Sequence, residues 1–433
     1  MAGEMREQIL HTEHNIDPSP RSYAPGVSLL GRSRFDLDEL TLINAKDVER
    51  WLFSTDSKGI GTRDFIVEFA CKLMKAGLGV DRFILNVGTL HPQAYGYAWH
   101  WNTVDGICDE IQIDQNTLLS DAFRKNPICR VIENGETIRV KLSGEDVEGL
   151  SPLMKELAAS GFSEYVALPL SASGDNYNAV TLSTCQANGF SAGQLETLMR
   201  LLDIFALHVD RHIISRIAKN ISYTYLGREA GEKVVSGTIK RGAGVSIDAI
   251  VWSSDMRGFS KLSEKHDSRT IAEVLNNYFS VMAEAAIRQG GDVLKFIGDG
   301  MLAVFPLSDF ASPEQAASAA AIAAQDAVKQ LAEKNEQMSD VADWPQMQTG
   351  IGLHIGEVFF GNIGAERRLD FTVIGQAVNV ASRIEGLCKP LKRSILVSSA
   401  VADLLEDGVE SLGVHALGGM QATEEIFALP DEH

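Results

Sequence analysis

The apolar positions in the first half of the chain follow both helical and strand periods. A spacing of three and four predicts a helix over residues 65–76, and short apolar runs predict strands over 82–87 and 165–170. This mixture is typical of an α+β or α/β sensor-like domain, which we place at residues 44–194. Residues 1–43 are polar and contain several Pro and Gly, so they are predicted to form a flexible N-terminal arm.

A long periodic segment follows this domain. Its apolar residues are spaced by three and four, as in a helix with one apolar seam: Leu195, Leu198, Leu202, Phe205, Val209, Ile213 and Ile217. Such a helix either packs on its own domain or pairs with a second copy as a parallel dimer helix that transmits a signal. A stretch containing several glycines, residues 227–244, connects this segment to the second half of the chain. Residues 195–244 are therefore interpreted as a dimer or signalling helix and linker.

The second half alternates strands and helices more regularly. Ser268 is a predicted N-cap for a helix with an apolar face that extends to Ala286, and the Ala-rich residues 316–327 predict a surface helix. Strands are predicted over 247–252, over 293–297 and 301–305 around the turn Gly298-Asp299-Gly300, and over 351–355 and 358–360 on either side of Gly356. The pattern predicts a second α/β domain over residues 245–433.

Composition and charge narrow the possible functions. A chain of 433 residues with 45% hydrophobic residues predicts two or three globular domains. The net charge of −19 argues against nucleic-acid binding but leaves a nucleotide substrate open. No membrane span or signal peptide is expected. The five scattered cysteines favour neither a disulfide framework nor a zinc site and fit a reducing cytoplasm.

Two aspartates occupy positions where a carboxylate is unusual. Asp255 directly follows an apolar strand, and Asp299 is at the tip of a predicted hairpin. Taken singly, Asp255 is explained as a helix N-cap and Asp299 as a common Asp-Gly turn. If the two strands are neighbours, the carboxylates converge, and converging carboxylates are a natural site for Mg²⁺.

Three segments around these residues resemble the motifs of one enzyme family. They are DMRGFS at 255–260, KFIGDG at 295–300 and FTVIGQAVNVASR at 371–383. In order and spacing they are similar to the three motifs of class III adenylate and guanylate cyclases. The resemblance implies a ferredoxin-like catalytic domain over residues 245–433, in a chain of the α/β (α+β) class.

The resemblance also implies metal and phosphate roles. Asp255, Met256 and Asp299 are identified as the metal-site residues for two Mg²⁺ (or Mn²⁺) ions. Gly258, Phe259 and Ser260 are expected to bind the phosphates of the substrate. Asn379 is expected to orient the ribose, and Arg383 to stabilise charge on the α-phosphate.

Lys295 and Thr372 are the residues expected to choose the base. An ammonium donates to adenine N1, and a threonine hydroxyl accepts from the N6 amine. Guanylate enzymes of the family typically carry Glu in place of Lys295, so the resemblance implies ATP as substrate and cyclic AMP as product. Two alternatives stay open at this point: a guanylate cyclase, and a catalytically inactive cyclase fold that serves as a nucleotide-binding or dimerisation module.

In this family the catalytic residues lie on two faces of a dimer interface. Because this one chain carries all of them, the resemblance implies a head-to-tail homodimer with two composite sites. One departure concerns a basic residue that many members place before a Gly near the C-terminus. Here the local run is Leu417-Gly418-Gly419, and Lys389, Lys392 or Arg393 are candidate substitutes for the contact with the terminal phosphates.

The first domain carries a more diffuse resemblance. Residues 161–170, Thr181 and the Gly189-Phe190-Ser191 helix start are similar to the later half of GAF domains, which bind small molecules or dimerise. An unknown small-molecule ligand is therefore one expectation for this domain. His91 and His100 are candidate cofactor ligands without supporting spacing, and core packing is the alternative.

Overall fold

The computed structural model divides the chain into two compact units, residues 1–221 and 222–433, and each is described by itself. The residues that the structure describes are 19–35, 41–89, 91, 94–119, 121–124, 126–143, 150–170, 178–238, 240–341, 344–366, 368–405, 408–419 and 423–430. The boundary between the units lies within the predicted linker, 195–244. Most of the predicted arm, residues 1–18 and 36–40, lies outside the described residues.

The first unit is built on an antiparallel sheet of seven strands. The strands are β1 Val27–Arg34, β2 Arg82–Gly88, β3 Ala94–Asn102, β4 Ile107–Asp114, β5 Ile138–Lys141, β6 Glu164–Leu170 and β7 Asn178–Thr184. The helices are α1 Ala45–Phe53, α2 Asp56–Gly59, α3 Thr62–Lys75, α4 Asp121–Arg124, α5 Ile128–Asn134, α6 Pro152–Ala159 and α7 Ala192–Leu226. The spatial order of the strands is β1-β4-β3-β2-β7-β6-β5.

Strand β1 corrects part of the predicted flexible arm. Residues 27–34 pair with β4, and the segment before them carries Arg21, which bonds to Asp109 on β4 together with Arg32. The Asp109 side chain is fully buried, and a buried carboxylate requires charged or hydrogen-bonding partners. The arginines that make this segment look like a polar arm therefore anchor it to the sheet.

Helix α7 places the predicted apolar seam inside the first unit. Leu198, Leu202, Phe205 and Val209 are buried in the hydrophobic core of this unit, with Ile213 packed against it. Phe205 stacks on Phe69 of α3 with 4.1 Å between ring centroids. Of the two interpretations of the seam, packing on its own domain is therefore the one observed for these residues.

The second unit contains the remaining elements. The strands are β8 Gly244–Met256, β9 Asp292–Ile297, β10 Gly300–Pro306, β11 Thr349–Ala365, β12 Arg368–Ile374, β13 Ile395–Ser398, β14 Glu410–Ala416 and β15 Thr423–Ala428. The helices are α8 Arg228–Val235, α9 Phe259–Lys265, α10 Ser268–Arg288, α11 Pro313–Gln337, α12 Gln376–Leu391 and α13 Ser399–Ala402. Helix α8 lies in the segment that the glycines at 227–244 led us to treat as a linker.

The centre of this unit has a βαββαβ order. The strand order β11-β8-β10-β9 places the fourth strand of that unit beside the first, which is the ferredoxin-like arrangement expected from the sequence. Helices α10 and α11 cover one face through a core that includes Trp252, Tyr278 and Phe305. The other face is covered partly by β12 and by α12, whose Ala377 and Ala381 are buried against it.

Two local predictions in the second unit need correction. The N-cap of α10 is Asp267, whose side chain accepts from the N–H groups of Arg269 and Thr270, and Ser268 is the first helical residue. Gly356 does not end a strand, because β11 runs through it. A Cβ at Gly356 would lie 2.9 Å from the Cβ of Ala377, so this glycine permits the close approach of α12.

Two compositional expectations can be compared with the structure. All five cysteines are described and all are free thiols. Within the described ranges, no helix is both long enough and apolar enough to cross a membrane.

The Ala-rich segment forms part of α11, and many of its alanines are buried against the sheet, as an amphipathic helix requires.

Candidate active site

The sheet brings Asp255 and Asp299 together. Antiparallel pairing of β8 with β10 sets Asp255 opposite Gly300, and Asp299 is the hairpin residue directly before Gly300. The N–H of Met256 donates to the carbonyl oxygen of Asp299 at 3.2 Å, which fixes the hairpin tip against the end of β8. The strands are neighbours, so the condition for converging carboxylates is met.

The electrostatics of this pair suit a divalent cation. Burial, followed by the negative charge and hydrogen bond of Asp299, raises the pKa of Asp255 to about 6. A bound cation would favour the ionised form of a carboxylate placed beside another in this way. Across the described residues, no group of three or more His, Cys, Asp or Glu side chains is arranged to hold a metal. Other ligands would have to be backbone carbonyls, water or substrate oxygens.

Gly300 makes room for the Asp255 carboxylate. A Cβ built on Gly300 would lie 2.7 Å from the carbonyl oxygen of Ser254 and 3.3 Å from Oδ1 of Asp255. Any side chain at this position would displace the strand or turn the carboxylate away. The second glycine of the GDG turn is therefore required by the site as well as by the hairpin.

The backbone of Asp255 is held from the core side. Thr349 on β11 donates its hydroxyl to the carbonyl oxygen of Asp255 at 3.2 Å, and the same hydroxyl lies 2.8 Å from the buried hydroxyl of Tyr278. Because Tyr278 is on α10, this chain of bonds ties the end of β8 to the helical layer. The thioether of Met256 is buried in the same core, so the backbone carbonyl is the part of Met256 that remains as a possible metal ligand.

A tight turn connects β8 to α9. Gly258 has φ +76°, in the left-handed region that favours glycine, and α9 begins at Phe259. The N–H groups of Phe259 and Ser260 lie in the first turn of this helix, where the helix itself supplies no acceptor. The turn therefore presents backbone donors next to Asp255.

Lys295 lies on β9 and Thr372 lies on β12. These two strands approach each other although they are not hydrogen-bonded neighbours in the sheet. Lys295 on β9 forms an ion pair with Asp370 on β12. Thr372 follows Asp370 by two residues, so the two side chains are on the same face of β12. Phe371 and Val373, on the opposite face, are buried in an apolar cluster.

Asn379 and Arg383 are exposed on α12, and their spacing of four places them on one helical face. Glu385 follows Arg383 by two residues, about 200° around the helix, so it projects elsewhere. Its carboxylate oxygen would lie 2.9 Å from a Cβ built on Gly350, the residue paired with Asp255 across β8 and β11. The face carrying Asn379 and Arg383 is therefore turned away from the aspartates of the same chain.

Glu385 is a feature of this site that no sequence signal indicated. Burial raises its pKa to about 7, with the charge of Asp255 adding to the effect and Arg257 opposing it. Arg257 donates to the carbonyl oxygen of Arg393, which joins the β8–α9 turn to the segment after α12. Whether an acidic residue such as Glu385 is buried can be judged only when its position in the fold is known.

The residues considered for the terminal-phosphate contact are more scattered. Gly418 is exposed, Lys392 caps the end of α12 with φ 54°, and Lys389 is exposed on the last turn of α12. Arg393 donates to Glu410 at 2.6 Å, so its charge is already partly neutralised. None of these observations selects one residue for the contact.

The two candidate histidines of the first unit have structural roles. Nδ1 of His91 accepts from the N–H of Ala94 at 3.1 Å. Burial and the charges of Arg82 and Arg21 lower the pKa of His100 to about 3, so its ring is neutral, and it packs against the ring of Tyr23. For His100, the packing alternative agrees with the structure.

Known proteins resemble the second unit. The family model described as adenylate and guanylate cyclase catalytic domain matches residues 247–424. An adenylate cyclase of Anabaena cylindrica is 32% identical over 227 residues, which are 52% of this chain and 42% of that protein. The chain spans less than half the length of the curated relatives that head the comparison.

Two solved structures are similar to part of this chain. A crystal structure of the adenylyl cyclase CyaB from P. aeruginosa is 28% identical, covers 44% of this chain and 97% of its own, and has a TM-score of 0.40. A crystal structure of the guanylyl cyclase Cya2 is 30% identical, covers 43% of this chain and 92% of its own, and has a TM-score of 0.38.

Proposed function

Residues 247–424 belong to the adenylate and guanylate cyclase catalytic-domain family, and we propose that this chain converts ATP to 3′,5′-cyclic AMP and pyrophosphate. The observation that carries the proposal is the convergence of Asp255 and Asp299 beside the segments typical of the family.

Asp255 and Asp299 would hold two Mg²⁺ (or Mn²⁺) ions, with the Met256 carbonyl as a further oxygen ligand. When bound, such ions lower the pKa of the ribose 3′-hydroxyl and stabilise charge on the triphosphate. The raised pKa of Asp255 and the cleared space above Gly300 support this assignment. The chain's own contribution would be to hold the backbone of Asp255 in place before substrate arrives, through its bond from Thr349.

The turn after β8 would bind the triphosphate. The free N–H groups at Phe259 and Ser260, with Gly258 supplying the left-handed turn, provide donors of the kind that bind phosphate oxygens at helix starts.

Lys295 and Thr372 would choose the base. The ammonium of Lys295 donates to adenine N1, whereas guanine presents an N1–H donor that would face the same ammonium. Thr372 is buried on the face of β12 that also carries the ion-pair partner of Lys295, which supports a joint role for these strands. The proposal of ATP over GTP depends chiefly on Lys295.

Asn379 would orient the ribose, and Arg383 would stabilise charge at the α-phosphate. Both are exposed and turned away from the aspartates of their own chain. We therefore infer a head-to-tail homodimer in which Asp255 and Asp299 of one chain face Asn379 and Arg383 of the other. Each dimer would have two equivalent sites, and a monomer would be inactive.

The first unit would serve as a GAF-like regulatory domain. Its antiparallel sheet, with α7 packed in its core and continuing in sequence to residue 226, supports a role in regulating the cyclase domain. A small-molecule ligand for this domain is part of the proposal, and its identity is open.

The test is a product assay on the purified 433-residue chain. Purified chain is incubated with Mg²⁺ or Mn²⁺ and either ATP or GTP, and cyclic nucleotides are measured by mass spectrometry. We expect cyclic AMP from ATP and much less cyclic GMP from GTP, with Asp255→Ala as the control for contaminating activity. Faster turnover of GTP would support a guanylate cyclase. Nucleotide binding without either product would support the inactive module.

Lys295→Glu tests the base assignment separately. A carboxylate at this position would repel adenine N1 and accept from guanine N1–H, so the ratio of ATP to GTP use should fall steeply. An unchanged ratio, at a retained melting temperature, would remove Lys295 from base selection.

A further inference from the structure

We propose that a small cavity in the first unit binds an oxyanion, namely the carboxylate or phosphate group of a small molecule. The cavity lies between β3, the start of α3 and the middle of α7, and its polar and aromatic lining includes Thr62, Thr89, Tyr97, Trp99, His212 and Arg216. The inference deepens the proposed regulatory role of the first unit, whose ligand is otherwise open. The binding itself can be measured without cyclase activity.

Arg216 on α7 supplies the cation of this cavity. Its guanidinium carbon lies 4.3 Å from the ring centroid of Tyr97 and 5.5 Å from that of Trp99, and such contacts hold a planar cation in place. Its Nη2 donates to the carboxylate of Glu110 on β4. Its Nη1 is buried and has no acceptor among the residues that the structure describes. One donor of a fixed guanidinium is therefore available to a ligand.

The charges around Arg216 do not cancel. Glu110, a buried residue, is the carboxylate that pairs with Arg216, and one of its oxygens also lies 3.8 Å from Nη1 of Arg63 on α3. Two guanidinium groups share one carboxylate, so these three side chains carry a net charge of about +1 at neutral pH. In a chain with a net charge of −19, such a local excess favours an anion at this place.

His212 and Thr62 add a neutral donor. Nε2 of His212 lies 3.1 Å from Nη2 of Arg211, which can only donate, so Nε2 is the acceptor. Burial, followed by the charge of Arg211, lowers the pKa of His212 to about 4, so the ring is neutral and its proton is on Nδ1. Nδ1 then donates to the hydroxyl oxygen of Thr62 at 3.1 Å. The hydroxyl proton of Thr62 remains for a ligand.

The other polar groups of the lining are also donors. The amide nitrogen of Asn220 lies 3.4 Å from the hydroxyl oxygens of both Thr89 and Tyr97, so these oxygens accept and their protons remain for other partners. Nε1 of Trp99 is buried, has no acceptor in the described part of the chain and can only donate. A water molecule would bring two protons of its own to these donors. A carboxylate or phosphate group brings mainly acceptors, so it complements the cavity better.

The test is titration calorimetry on the 433-residue chain at neutral pH, without nucleotide or divalent metal. Sodium acetate and inorganic phosphate are titrated separately at constant ionic strength. We expect saturable binding of one of them, and the one that binds more tightly identifies the ligand group as carboxylate or phosphate. Arg216→Gln should weaken this binding at least about tenfold, because a charge-assisted hydrogen bond is lost. The proposed turn before α9 could also bind phosphate, so only the signal removed by Arg216→Gln counts.

Two further variants separate binding from folding. Thr62→Val removes one donor and keeps every charge, so it should weaken binding about fivefold even if Arg216→Gln proves too unstable to study. Lys219→Gln is the matched control, because it removes one positive charge from an exposed position on the same helix. It should bind the anion as the wild type does.

Several results would overturn the inference. They are absence of saturable binding of either anion up to about 10 mM, equal affinity in wild type and Thr62→Val, and a loss of affinity in Lys219→Gln as large as that in Arg216→Gln. A wild-type chain that makes cyclic AMP and binds neither anion would refute this inference alone. A chain that binds the anion through Arg216 and Thr62 and makes no cyclic nucleotide would support this site and refute the proposed cyclase function.

Discussion

Asp255 and Asp299 face each other at one corner of the second unit because the β8–β10 register sets Asp255 opposite Gly300, the residue after Asp299. Burial, the charge of Asp299 and a hydrogen bond to it raise the pKa of Asp255, and no cation is among these causes. Ionisation of Asp255 is therefore unfavourable, and a proton or a cation at this carboxylate would relieve the arrangement.

The first prediction concerns competition between protons and metal. Because the pKa of Asp255 is raised to about 6, cyclase activity at limiting Mg²⁺ should decline as the pH falls through about 6. More Mg²⁺ should shift the midpoint to lower pH, since metal and proton compete for the same carboxylate. Cyclic AMP formation measured across pH at two Mg²⁺ concentrations checks this, and a midpoint independent of Mg²⁺ would contradict it.

The second prediction concerns the space above Gly300. Gly300→Ala should reduce activity by roughly 100-fold, because the added Cβ crowds the Ser254 carbonyl and displaces the Asp255 carboxylate from its position. Gly193→Ala in α7 is the matched control, since a Cβ built there meets no atom within 4 Å apart from its chain neighbours and its own helix backbone. Both variants are assayed for cyclic AMP and melting temperature. Full activity in Gly300→Ala would show that the carboxylate position is not critical.

The third prediction uses the raised pKa of Glu385. Its folded pKa of about 7 lies above the ordinary value of 4.5, so between these pH values the folded protein binds more protons than the unfolded chain. The free energy of unfolding therefore falls as the pH rises to about 7 and stays at the lower level above it. Glu385→Gln, which cannot ionise, should melt a few degrees higher than wild type at pH 8 and at the same temperature near pH 4.

The exposed Glu284 on α10 provides a control for Glu385. Glu284→Gln makes the same chemical change without removing a charge from the core of the site. Its melting temperature should follow that of the wild type at both pH values, measured without metal or nucleotide. A lower melting temperature for Glu385→Gln at pH 8 would mean that the ionised carboxylate has a stabilising contact.

Local sequence patterns predicted most elements because period and turn chemistry are local properties. The helix over 65–76 is found as α3, and the strands over 82–87 and 165–170 are found as β2 and β6, each with small shifts at the ends. The hairpin around Asp299 is found with its turn at the predicted residues. These segments bury one face or both, so their apolar pattern carries the information.

The departures arise where a distant residue decides the local structure. Strand β1 is polar in sequence and is held by Asp109, which lies far along the chain. Gly356 resembles a turn glycine, and its actual role depends on Ala377 of α12. The contributions of Glu385 and Asp370 likewise depend on partners that tertiary structure brings close. The spacing of the motifs indicated the candidate site. The contacts that support this site could be identified only from the tertiary structure.

The central claim is that one site is shared by two chains, and mixing two inactive variants tests it most directly. Asp299→Ala and Arg383→Ala are each expected to be nearly inactive, while mixing them forms heterodimers in which one composite site is intact. With random pairing, about half of the dimers are mixed and each has one of two sites, so activity should recover to about a quarter of wild type.

A second mixture, Asp255→Ala with Asp299→Ala, is the control, because both changes damage the same half of the site and no intact site can form. The measurement is cyclic AMP production by the two mixtures after subunit exchange. Recovery in the first mixture and none in the second is the predicted result. No recovery in the first mixture, with subunit exchange demonstrated independently, would contradict the shared site.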